Sequence, residues 1–83
     1  MTMISIELPD DVFALVRKSP SEVAKEFTLA AAMRWYEQGM ASQEKAAHIA
    51  GVSRWGFLDA LARERKEAFL ADIDSIKREL EGA

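Results

Sequence analysis

The stretch SQEKAAHIAGVSRWGFLDAL, residues 42–61, sets one glycine between two short apolar-periodic segments. Ser42 stands where an N-cap is needed, and Ala46, Ala47 and Ala50 give the helix that follows a smooth face for close packing. Gly51 is expected to end that helix, because a left-handed backbone costs other residues roughly 1 kcal/mol or more and costs glycine little. Val52 is expected to fill the corner. Ser53 then caps a second helix, running from Arg54 to about Arg65, with Phe57, Leu58 and Leu61 on its apolar face. A helix-turn-helix asks for these features in this order: small residues at the crossing, a glycine turn, an apolar corner, then anchors one and two turns on. Any tight helical hairpin uses alanine and glycine in the same way. The spacing therefore leaves a DNA-reading pair and a plain structural corner both open.

Upstream, Ser19, Pro20 and Glu22 occupy the N-cap, first and third positions of a strong helix start. The helix they open is apolar almost all round from Val23 to Tyr36, interrupted in FTLAAAMRWY only by Thr28 and Arg34. Such a helix needs cover from several sides, and Gly39 ends it. Before it, Asp10 can cap a short helix through DVFALVRK. In MISIELP, Ile4, Ile6 and Leu8 alternate with Met3, Ser5 and Glu7, the period of a half-buried strand closed by Pro9. No second strand is legible, so the economical expectation is a ribbon with the same strand of another copy, dimerising through Ile4, Ile6 and Leu8. The expected fold is mainly α: a short N-terminal β-strand forming an intersubunit ribbon, then helices including a helix-turn-helix. Residues 1–66 would form the dimerisation and helix-turn-helix domain, and residues 67–83 an acidic amphipathic tail, read as helix over 74–81 and left open over 67–73.

A chain of 83 residues has room for one domain and buries only about 60–65% of its unfolded surface. It has no cysteine to cross-link it, and no metal-ligand cluster or cofactor motif is visible, so a homodimer is the expected source of further core. The net charge of −3 is unevenly spread. Residues 1–41 carry six acids and four bases, residues 42–66 three acids and five bases, and residues 67–83 five acids and two bases. A basic middle and an acidic end suggest different partners for the two segments. The start has no basic, then apolar, leader pattern and no stretch is long enough to span a bilayer, which favours a cytoplasmic protein without membrane attachment. Enzyme chemistry finds little support: His48 is the sole histidine, the serines sit at caps, and acids alternate with bases as on solvated helix faces.

On the DNA reading, Ser53, Arg54, Trp55, Asp59 and Arg63 supply the first turn and outward face of the helix entering a major groove. Arg54 is the principal candidate, able to fork onto a guanine edge or pair with a phosphate. Gln43 and Lys45, at the start of the preceding helix, are placed for backbone phosphates. Asp59 would repel phosphate unless it faces a base amino group or an arginine. The tail stripe Phe69, Leu70, Ile73, Ile76 and Leu80, flanked by Asp72, Asp74, Glu79 and Glu81, suits a basic protein surface or, equally, packing onto the chain's own core.

The segment ISIELPDDVFALVRKSPSEVAKEFTLAAAMRWYEQG resembles a ribbon-helix-helix unit. With MASQEKAAHIAGVSRWGFLDAL and the acidic tail after it, nearly the whole chain resembles a prokaryotic family of small uncharacterised proteins regarded as antitoxins of toxin–antitoxin pairs. The most specific part is G-x-x-S-x-x-K-A-A-x-x-A-G-V-S-R-x-x-F-L, held by Gly39, Ser42, Lys45, Ala46, Ala47, Ala50, Gly51, Val52, Ser53, Arg54, Phe57 and Leu58. The resemblance implies a DNA-binding autorepressor acting at its own operator, with a tail that inhibits a small toxin, often a nuclease resembling the PIN domain. A ribbon would turn Met3, Ser5 and Glu7 toward the duplex, and paired Glu7 carboxylates repel phosphate, so the helix-turn-helix is the expected reader. The other reading is a protein-interaction adaptor or oligomeric scaffold that binds no DNA.

Overall fold

The computed structural model describes residues 1–82, and its elements in order are α1 (Asp11–Val16), α2 (Pro20–Glu37), α3 (Gln43–Ala50) and α4 (Arg54–Glu81). α2 starts as its sequence requires. The Ser19 hydroxyl oxygen accepts the Glu22 amide at 3.3 Å, while a Glu22 carboxylate oxygen accepts the Ser19 amide at 3.3 Å and the Ser19 hydroxyl at 3.0 Å. The bond from the Ser19 backbone, with that from its hydroxyl, holds the exposed Glu22 carboxyl below its ordinary range. α1 is shorter than DVFALVRK suggests, because Arg17 turns left-handed at φ 55° and its amide closes back on the Phe13 carbonyl. Asp10 makes no side-chain cap.

The stretch from 42 to 61 folds as two short-linked helices. Ser42 and Ser53 are both N-caps, accepting the amides of Lys45 at 3.1 Å and Gly56 at 3.0 Å. Between them Gly51 adopts φ 72°, and its amide closes on the carbonyls of Ala47 and His48. A Cβ added at Gly51 would meet nothing within 4 Å, so backbone conformation and not space calls for glycine. The core lies where α2, α3 and the first two turns of α4 meet. It consists of Ala32 and Met33, Ala46 and Ala47, and Phe57 and Leu61. The alanines let the helices approach, and Phe57, wholly buried, fills the junction.

Three expectations are corrected. Among the described residues there is no strand: residues 1–9 are neither strand nor helix, Ile4 is 79% exposed and Ile6 is exposed beside it, while Leu8 is half-buried. Alternation selects a face but supplies no partner, and an extended segment without a second strand leaves its ladder groups unpaired. The mainly-α fold stands, without the expected N-terminal strand among the described residues. Val52 does not fill the corner: it lies over Gly56 of the first turn of α4 and stays 41% exposed. The central helix buries only Val23, Ala32 and Met33 fully, and leaves Phe27 and Trp35 exposed.

The tail also resolves. α4 continues without a break through residues 67–73 to Glu81, and every residue from Ala62 to Gly82 is exposed. It does not fold back on the core.

Gly51→Ala is expected to lower stability by about 1–2 kcal/mol, the cost of a left-handed alanine with no steric addition. Gly51→Asn should cost less, since asparagine tolerates that region. Paired denaturant melts check both values; equal losses would contradict a purely conformational role.

Candidate nucleic-acid interface

The first three turns of α4, with their cap, carry five of the sequence-selected residues. Ser53, Arg54, Trp55, Asp59 and Arg63 are all exposed; helical spacing sets Trp55, Asp59 and Arg63 opposite buried Phe57 and Leu61, whereas Arg54 opens the helix on the Phe57 and Leu61 side. Spacing by four sets Trp55, Asp59 and Arg63 along one outward line. Trp55 is 81% exposed, so it is not core material here. Asp59 is met by Arg63 at 2.9 Å, which offsets the carboxylate on this face and also occupies Arg63. The Ser53 hydroxyl oxygen is engaged as the cap. Gly56, also in the first turn, lies close to that cap: a Cβ there would stand 3.2 Å from Ser53 Oγ and 3.5 Å from Val52 Cβ.

Arg54 is held from behind. Its Nε donates to Gln43 Oε1 at 3.1 Å and its Nη2 donates to the same oxygen at 2.9 Å. The Gln43 Nε2 in turn donates to the Tyr36 hydroxyl oxygen at 3.1 Å. Gln43, expected as a phosphate contact, thus spends its amide between two side chains of its own fold. Lys45 stays exposed and joins no ion pair among the described residues. The expected interface therefore reduces to Arg54, Lys45 and the exposed surface around Trp55.

Tyr36 is the residue that sequence reading missed. It looked like core in an apolar helix, and its ring does pack edge-on against Phe57 with centroids 5.6 Å apart and planes at 89°. Its signal was the hydroxyl: a half-buried tyrosine keeps its polar tip bonded, so a polar neighbour had to be sought.

Helix ends add to the electrostatics. α1, α2 and α3 each carry an acid in the first turn, whereas α4 carries none. The positive end of the α4 dipole is thus left uncompensated beside Arg54. A groove of about 940 Å³ between α2 and α4 is different, since as many acids as bases line it. Among the described residues no cluster of three or more histidine, cysteine, aspartate or glutamate side chains could hold a metal ion. No described helix is long and apolar enough to cross a membrane.

Toward its end α4 presents a second surface. Phe69, Leu70, Ile73, Ile76 and Leu80 are all exposed, Phe69 by 63% and Leu80 by 77%. Asp74 and Arg78 form an ion pair one turn apart in the same segment. Ser53→Ala should cost about 1 kcal/mol by removing the cap at the other end of this helix. Amide exchange should show the loss as faster exchange at Phe57 and its neighbours, with the far end of α4 unaffected; a uniform change would contradict a local cap.

The description "Uncharacterised protein family (UPF0175)" matches residues 1–83. A "UPF0175 protein" of Aeropyrum pernix is 39% identical over 80 residues, an alignment covering 96% of this chain and 84% of the relative. No solved structure matches the chain significantly. The chain belongs to the UPF0175 family of uncharacterised proteins.

Proposed function

We propose that the chain is a DNA-binding, antitoxin-like regulator that represses its own operon from the cytoplasm and restrains a partner toxin through the end of α4. The observation that carries the DNA part is Arg54: a solvent-facing arginine in the acid-free first turn of a helix that follows a tight, glycine-turned partner helix. That helix order is what a helix-turn-helix needs to set its second helix in a major groove. Arg54 serves as the base reader and Lys45 as a phosphate contact, with exposed Trp55 following Arg54 in the chain. The working unit is a homodimer, since Phe27 and Trp35 of α2 remain exposed in the single chain.

The tail part rests on exposure and charge. An apolar stripe on the exposed end of a helix, in a segment with five acids against two bases, suits a partner whose surface combines an apolar groove with a basic rim. A small nuclease resembling the PIN domain is the proposed toxin.

Purified protein should bind DNA from upstream of its own gene with an affinity that falls as salt rises. Arg54→Ala should weaken that binding about tenfold or more, as loss of a bidentate base contact does. Unchanged affinity in Arg54→Ala would exclude it as the reader. Limited trypsin digestion of the free chain should remove the segment beyond Lys66 first, and a bound toxin should block those cuts. Intrinsic resistance of the segment would argue against a partner-docking tail.

A further inference from the structure

We infer that Tyr36 is a positioning residue for Arg54, holding through Gln43 one edge of the guanidinium so that the outer fork is preset for a guanine. This rests on the DNA-binding reading above and adds to it a specificity device reaching from the core to the surface. Arginine can only donate hydrogen bonds, so the Gln43 atom facing it must be the carbonyl oxygen. Oε1 receives both Nε and Nη2 of Arg54, at 3.1 and 2.9 Å. The Gln43 amide nitrogen then faces away, and the acceptor it meets is the Tyr36 hydroxyl oxygen at 3.1 Å. A reversed amide would set donor against donor at Arg54. Tyr36 itself cannot swing, because its ring is packed edge-on against buried Phe57.

The relay occupies the Nε side of the guanidinium. What remains are the N–H groups of Nη1 and the outer side of Nη2, a planar fork pointing away from Gln43. A phosphate accepts from many directions and gains little from a fixed fork. The O6 and N7 atoms of guanine lie in one plane at one edge, and a fork held in advance meets them at a smaller loss of side-chain freedom. The hydroxyl of Tyr36 therefore bears on discrimination between sequences more than on general attraction to DNA.

The test uses the full chain with two duplexes: its own upstream DNA and a scrambled duplex of the same length. Tyr36→Phe keeps the ring against Phe57 and removes only the hydroxyl. Affinity for the upstream duplex is expected to fall about three- to tenfold, the size of a coupling inside one hydrogen-bond network. Affinity for the scrambled duplex and the salt slope should not move. Gln43→Ala should give the same loss, and the double variant no more than either alone. Equal weakening toward both duplexes, no weakening, or additive losses would overturn the relay. A wild-type chain that does not distinguish the two duplexes would overturn it as a specificity device. If the wild-type chain binds neither duplex, the DNA reading fails by itself, and nitrogen-15 NMR of the Arg54 Nε–H group still reads the relay. That proton should exchange slowly in the wild type and at the rate of a free arginine in Tyr36→Phe; identical rates would refute the positioning role.

Discussion

Burial of Phe57 is the constraint on which the other features rest. It is the largest side chain wholly removed from solvent, and it sits where α2, α3 and α4 converge. Its neighbours explain why so small a chain can make that junction. Ala32, Ala46 and Ala47 carry no bulk, so the three helices approach closely enough for one aromatic ring to close the space. Leu61 extends the contact by one turn of α4, and beyond it the core ends.

The same ring connects core and surface. Phe57 fixes the face of Tyr36, and the hydroxyl of Tyr36 emerges among polar groups at the edge of the helix pair. Gln43 and Arg54 open α3 and α4, so the glycine turn between those helices determines whether their side chains meet. A change in the left-handed turn at Gly51 would thus be felt both in packing and in the orientation of the exposed arginine. Core and candidate interface are parts of one arrangement, not neighbours by chance.

The far part of α4 obeys different physics. From Ala62 to Gly82 every residue is exposed, and helices without tertiary burial are marginal in water. Its local supports are few: surface pairs of the Asp59–Arg63 and Asp74–Arg78 kind contribute about 0.3–0.5 kcal/mol each. The apolar stripe weakens solubility and adds nothing to the stability of the isolated chain.

The amino-acid sequence by itself determined the local punctuation: the Ser19–Glu22 box, the Ser42 and Ser53 caps, the left-handed Gly39 and Gly51, and the anchors Phe57 and Leu61. Each of these is a short-range matter, settled by a hydroxyl, a missing Cβ or a period of three to four residues. Tertiary structure decided what depends on a distant partner. The alternation of Ile4, Ile6 and Leu8 produced no strand because pairing requires another strand, which the pattern cannot provide. The tail stayed one helix because nothing in the fold bends it back, although its sequence left residues 67–73 ambiguous. The Tyr36–Gln43–Arg54 chain joins positions on three helices, and only their packing brings an apolar helix's tyrosine to the side chain that holds the exposed arginine.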